Sequence, residues 1–252
     1  MKRFPSLLVA HPGHELRLHR WLELAQPSLF VLTDGSGSAG RSRIPSTHAV
    51  LANTGARAGS IVAPFTDHEI YDAILHRDAG KAAAVTLRLA EALVDAELVA
   101  TDAWEGYNPT HDVCRIVGEL AAERASRLAG RTIPLYEYPV VQPFEASGSA
   151  GEIVVRLDEA AVERKIATAY AYAELRSDVD EMLHAAGEDQ LRLEVLRPAR
   201  LLATSGKPFY ETRGEQQVAA GRYNVVLRYR DHLAPFVEAL VATVRGAVPV
   251  PS

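Results

Sequence analysis

Ser6-Leu7-Leu8-Val9-Ala10-His11-Pro12-Gly13-His14-Glu15 is the stretch whose reading decides the fold. Residues 7–10 form an apolar run of the length of a fully buried strand, and Pro12 and Gly13 break it. Two imidazoles and a carboxylate follow at once, in His11, His14 and Glu15. Parallel α/β sheets bind ligands beyond the carboxyl ends of their strands. A first strand that ends in this way delivers metal-type ligands to the place where such folds keep their sites.

Outward from this stretch, strand and helix patterns alternate. The spacing predicts an amphipathic helix over 16–24 and a strand over 28–32 that runs into Thr33-Asp34-Gly35. The polar, glycine-rich loop 36–43 is too long for a tight turn and suits a site loop. A helix over 47–55, with Thr47 as its N-cap, and a strand over 60–64 come next. Residues 67–70 read as a loop or helix start, 82–95 as an Ala/Leu-rich core helix, and 97–101 as a fourth strand. The loop 102–112 carries Asp102, His111 and Asp112. A long helix over 113–128 and a fifth strand over 131–138 complete the pattern. Alternation of this kind argues for a mostly parallel sheet with helices on both faces, a Rossmann-like α/β domain over 1–140.

After Val140 the pattern changes. The reading is a linker over 142–151, a short strand over 152–157 and a charged helical stretch over 158–184. An edge strand over 192–202, a polar segment at 207–215 and a closing amphipathic helix over 229–244 follow. Residues 141–252 are therefore expected to form an α+β cap packed on the first domain as one structural unit.

The chain's 252 residues, 48% of them hydrophobic, suffice for a large core. A net charge of -5 lacks the basic footprint of a nucleic-acid binder. The longest apolar runs fall far short of a membrane span. Lys2 and Arg3 precede only a strand-length apolar run, too short for a signal peptide, so a cytoplasmic location is expected. Cys114 is the single cysteine, which excludes an intrachain disulfide and a Cys-rich zinc knuckle. A metal would be held by His, Asp or Glu.

Those residues fall at strand ends: His11 and His14 after the first, Asp34 after the second, Asp67 after the third, and Asp102, His111 and Asp112 after the fourth. Three protein ligands with an open position is the usual layout of a catalytic zinc. Such an ion polarises a carbonyl and activates water, and a nearby carboxylate takes the proton. Glu15 and Asp112 stand next to ligands and are the candidates for that base. Plainer roles compete. His11 could simply end a strand, Asp112 or Asp67 could cap a helix, and Asp34-Gly35 could be a turn. His19, His48, His68, His76, His184 and His232 are expected on solvated surfaces or helix ends.

The ordered set of motifs resembles that of the LmbE-like, PIG-L-type N-acetylglucosaminyl deacetylases. Ala10-His11-Pro12-Gly13-His14-Glu15 stands where the family has Ala-His-Pro-Asp-Asp-Glu, and Thr33-Asp34-Gly35 fits its Thr-x-Gly. Arg43 through Gly55 is similar to its Arg and Ala-rich helix. Asn108-Pro109-Thr110-His111 stands at its His-Pro-Asp-His, and Lys165-Ile166-Ala167-Thr168-Ala169 resembles its late Lys-x-x-Ala helix. The resemblance covers most of the first 170 residues. It implies a zinc ion held by His11, His14 and His111, and de-N-acetylation of an amino sugar or hydrolysis of a related small-molecule amide. His14 replaces the family's aspartate ligand, which implies a three-imidazole site. Gly13 replaces its aspartate base, so Glu15 or Asp112 would take that role.

Asp34, Arg43 and Asp67 would line the substrate pocket. Arg213 would join them only if its segment is more than a salt-bridged cap. Two other readings stand beside the deacetylase. One is a metal site turned to a different hydrolysis or to sugar binding without turnover; the other is an interaction protein without metal. The coherent His-x-x-His favours a working metal site. Homo-oligomerisation is left open.

Overall fold

The structure, a computed structural model, describes residues 3–200 and 206–247. The first half runs β1 (Ser6–Val9), α1 (His19–Ala25), β2 (Ser28–Thr33), α2 (Ile44–Thr54), β3 (Arg57–Phe65), α3 (Asp67–His76), α4 (Gly80–Ala92), β4 (Val99–Asp102), α5 (Pro109–Ala129) and β5 (Leu135–Tyr138). The rest runs β6 (Ile153–Arg156), α6 (Glu159–Ala171), α7 (Arg176–Ala186), β7 (Leu193–Pro198), α8 (Phe209–Ala219) and α9 (Ala234–Gly246). Among the described residues no helix is long and apolar enough to cross a membrane.

The strands form one sheet in the order β3-β2-β1-β4-β5-β7-β6. β3, β2, β1, β4 and β5 are parallel, and β7 and β6 close the sheet antiparallel. This is the Rossmann-like α/β arrangement that the alternation predicts. The chain leaves β1 toward β2 on one side and later returns to place β4 on the other. The crevice between the ends of β1 and β4 is thus the topological switch point where open α/β sheets bind ligands.

Period-two alternation divides each central strand between two cores. Leu8, Ala10, Phe30 and Leu32 pack with α4, α5 and α9 on one face. Leu7, Val9, Leu29 and Val31 pack with Trp21 and Leu22 of α1 and Leu51 of α2 on the other. Burial on both faces explains why the first strand reads as a continuous apolar run rather than an alternating one.

Several local expectations are corrected. The strand predicted at the edge is β7, which lies inside the sheet between β5 and β6; β6 is the edge. Residues 201–202 of that prediction lie outside the described residues. The C-terminal third therefore extends the sheet as well as covering it. The helix predicted from 16 begins instead as a 3-10 turn, His14–Leu18. α2 starts at Ile44, which puts Thr47 in its first turn rather than at its cap. Thr66 caps α3 through a capping box with Glu69, so Asp67 is free for another role. Asn108 caps α5, accepting from Thr110 N–H at 2.8 Å with Pro109 following, so Asp112 is not the cap either. The polar segment at 207–215 is largely helical, in α8.

His19 stands at a helix end, as the first residue of α1, but it is not solvated. It is 2% exposed, with Nε2 at 3.1 Å from the Thr168 hydroxyl and Nδ1 buried without a partner. Burial lowers its pKa to about 4, against the pull of Glu23. Below the ordinary histidine range the unfolded chain takes a proton that the folded chain refuses. Stability is therefore fully present above pH 6.5 and lost as pH falls toward 4, by at most about 1.4 kcal/mol per pH unit. His19→Gln should flatten this loss, measured as urea unfolding at pH 7.5 and pH 5. Equal losses in wild type and variant would remove His19 as the cause.

Candidate metal centre

Three imidazoles meet at the switch point. His11 stands two residues past the end of β1, His14 opens the 3-10 turn three residues later, and His111 sits in the first turn of α5 beyond β4. The ring centroids are 5.2 Å apart for His11–His14, 5.2 Å for His11–His111 and 4.5 Å for His14–His111. A zinc–nitrogen bond of about 2.1 Å puts a ring centroid about 3.2 Å from the ion, so two ligating rings at a tetrahedral angle stand about 5.2 Å apart. Two of the three spacings match this value and the third is tighter.

Two of the rings are held from behind. His11 Nδ1 lies 2.7 Å from the Thr33 hydroxyl and 3.0 Å from Asp67 Oδ1. The Thr33 hydroxyl donates to the Ala10 carbonyl, so it accepts from His11, which makes Nδ1 the protonated atom. The lone pair is left on Nε2, which is buried without a partner. His14 Nδ1 lies 2.8 Å from Asp102 Oδ2, and the same oxygen accepts from Ala10 N–H at 2.9 Å. The Tyr138 hydroxyl donates to Asp102 Oδ1 at 2.9 Å. A histidine whose Nδ1–H is bound to a carboxylate, with Nε2 left over, is the usual form of a metal-ligating imidazole.

Burial, outweighing the Asp67 hydrogen bond, lowers the pKa of His11. Burial together with His14 and His11 pushes His111 well below the ordinary range. Asp67 is raised by burial, but its bonds to His11 and Gly37 N–H win and lower its pKa. A neutral ring with an ionised carboxylate behind it, as at His11 and Asp67, is the protonation state a metal requires.

The chemistry of this donor set fits a divalent cation. Asp102 is fully buried and Asp67 largely so, yet their ion-pair partners are His14 and His11 and, among the described residues, no lysine or arginine. Buried charge costs several kcal/mol unless compensated, and an ion of charge two would balance both carboxylates. Among the described residues no group of three or more His, Cys, Asp or Glu is placed so that it could hold a metal ion as it stands.

The remaining residues expected at the site take varied places. Glu15 is fully buried and both its oxygens are engaged, with Gly13 N–H at 2.7 Å and the Thr47 hydroxyl at 2.7 Å. Burial raises its pKa, against those bonds. Asp112 is also fully buried. Its Oδ1 accepts from Gly106 N–H at 3.1 Å and Glu105 N–H at 3.3 Å, while Oδ2 is buried without a partner. Burial raises its pKa to about 7. Asp34 Oδ1 accepts from Ser36 N–H and Asp67 N–H, which ties the glycine-rich loop to α3. Arg43 lies half-buried along Gly35 and Gly37 on the same loop. Asp67 supports His11. Arg213 is exposed on α8, whose buried residues are Tyr210, Glu211 and Gly214.

Gly13 has a physical reason to be glycine. Its φ is +106°, and a Cβ there would stand 2.5 Å from Leu175 Cδ1. An aspartate here would be strained by that φ and would have to displace the Leu175 methyl. Sequence reasoning placed Asp102 among the strand-end acids and Thr33 in the Thr33-Asp34-Gly35 motif but gave neither a role behind a ring, and Tyr138 carried no signal of its own.

Comparison of the chain with family models, with curated proteins and with solved structures finds no match.

Proposed function

We propose that the chain is a zinc-dependent hydrolase that removes the acetyl group from an N-acetylamino sugar, or cleaves a related small-molecule amide. The observation that carries this reading is the meeting of three imidazoles, two of them held by buried carboxylates, at the switch point of the sheet. His11, His14 and His111 would hold the ion, which when bound supplies Lewis acidity toward an amide carbonyl. Asp67 and Asp102 orient the two rings by accepting from Nδ1–H, which leaves each Nε2 as the free donor atom. Asp112 receives the proton of the attacking water on Oδ2, which has no hydrogen-bond partner of its own. Asp34, Arg43 and the loop between them provide polar groups for a hydroxyl-rich substrate. The choice of an amino-sugar amide over another bond rests on the order of the motifs along the chain.

The test is metal content by elemental analysis, beside His11→Ala and His111→Ala. Near one equivalent of zinc in the wild type, lost in both variants, is expected, with acetate then released from a panel of N-acetylated sugars. No metal in the wild type after zinc is added would sink the reading. Bound zinc without acetate release would keep the centre and refute the deacetylase.

A further inference from the structure

We propose that Tyr138 is a positioning residue of this centre, acting through Asp102 to fix the His14 ring with Nε2 as its free donor. The proposal rests on the metal reading above for its consequence, though not for its geometry. Asp102 and Tyr138 end adjacent parallel strands and stand opposite one another in register, so their side chains leave the sheet on the same face. The Tyr138 hydroxyl then meets Asp102 Oδ1 at 2.9 Å, and Oδ2 is left to Ala10 N–H and His14 Nδ1. Both Asp102 and Tyr138 are 0% exposed, so no solvent competes for these bonds.

The division of labour matters. A carboxylate held on only one oxygen can rotate to share both oxygens among its remaining donors, and the ring bound to it turns as well. With Tyr138 in place, Oδ1 is drawn to the tyrosine hydroxyl, which fixes the plane of the carboxylate and keeps Oδ2 facing Ala10 N–H and His14. His11 has an equivalent double anchor in Thr33 and Asp67. His111 Nδ1 has none among the described residues. Two ligands are therefore preset and one is left to adapt when an ion arrives. Supporting groups of this kind are typically worth about 10–100-fold in metal affinity. Tyr138 acts one bond further out, so the lower end, about tenfold, is expected.

The experiment uses Tyr138→Phe in the full chain. In the metal-free protein, a long-range proton–nitrogen spectrum of nitrogen-15-labelled histidine should show His14 as the Nδ1–H tautomer in the wild type and a mixture in the variant. Zinc affinity should fall about tenfold. The melting temperature of the metal-free protein should move by only a few degrees. Unchanged tautomer and unchanged affinity in a folded variant would overturn the proposal. If the variant does not fold, the wild-type spectrum still decides, because His14 as the Nε2–H tautomer contradicts it. A tautomer change in the variant, with no zinc bound by the wild type, would remove the metal reading and leave the Tyr138–Asp102–His14 relay standing.

Discussion

Asp112→Asn is expected to lower kcat about a thousandfold while zinc content stays at the wild-type level, a loss within the range that general-base removal produces. Asparagine keeps an oxygen where Oδ1 accepts from Gly106 and Glu105 N–H, so the loop before α5 should survive the change. What disappears is the capacity of Oδ2 to take a proton. Glu15 offers the contrast. Its oxygens are committed to Gly13 N–H and the Thr47 hydroxyl, and they hold the turn that carries His14. Glu15→Gln should therefore act mainly on stability, by about 1–3 kcal/mol for a disturbed buried acceptor. Its effect on turnover should be smaller and should follow metal loss. Both variants should be assayed at saturating zinc. Full activity in Asp112→Asn, with Glu15→Gln inactive but metal-loaded, would move the base to Glu15.

The contrast between these acids shows what the sequence could and could not convey. Adjacency to a ligand identified both as candidates, but adjacency does not say where a carboxylate points. Glu15 turns inward because the chain at Gly13 enters the left-handed region and begins a 3-10 turn rather than a regular helix. The three histidines were legible because His11 and His14 lie just beyond β1, and His111 ends the loop that leads from β4 into α5. Their supports were not. Thr33 lies 22 residues from His11, and Asp102 lies 88 from His14. Tyr138 becomes meaningful only once β5 is paired with β4 in register. The buried place of His19 depends likewise on Thr168, 149 residues away. The parallel half of the sheet followed from alternation alone. The interior position of β7 did not, because which strand an antiparallel segment joins is set by tertiary pairing and not by its own pattern.

Glu194→Leu should destabilise the fold by about 5 kcal/mol and Lys165→Met by about 3 kcal/mol, the range for breaking a buried ion pair by removing one partner. Lys165 Nζ on α6 lies 2.7 Å from Glu194 Oε1 on β7 and 2.8 Å from the Arg17 carbonyl. Both side chains are almost fully buried, and burial lowers the lysine's pKa against the pull of Glu194. The two substitutions are not equivalent. Glu194 also accepts from Arg20 N–H at 3.0 Å and Trp21 N–H at 2.8 Å, at the start of α1. When Lys165 is removed, the carboxylate keeps those donors and the positive end of the helix. When Glu194 is removed, a buried ammonium loses its counter-charge and keeps only the Arg17 carbonyl, and two helix N–H groups lose their partner. For a chain of this size, 3–5 kcal/mol corresponds to a melting temperature lower by roughly 6–20 °C. The same pair joins the C-terminal third to the first helix, so wild-type urea unfolding should run as one transition by fluorescence and by circular dichroism. Two separated transitions would break the single unit into 1–140 and 141–252. A Lys165→Met variant less stable than Glu194→Leu would reverse the order, and with it the claim that this carboxylate serves α1 as well as the lysine.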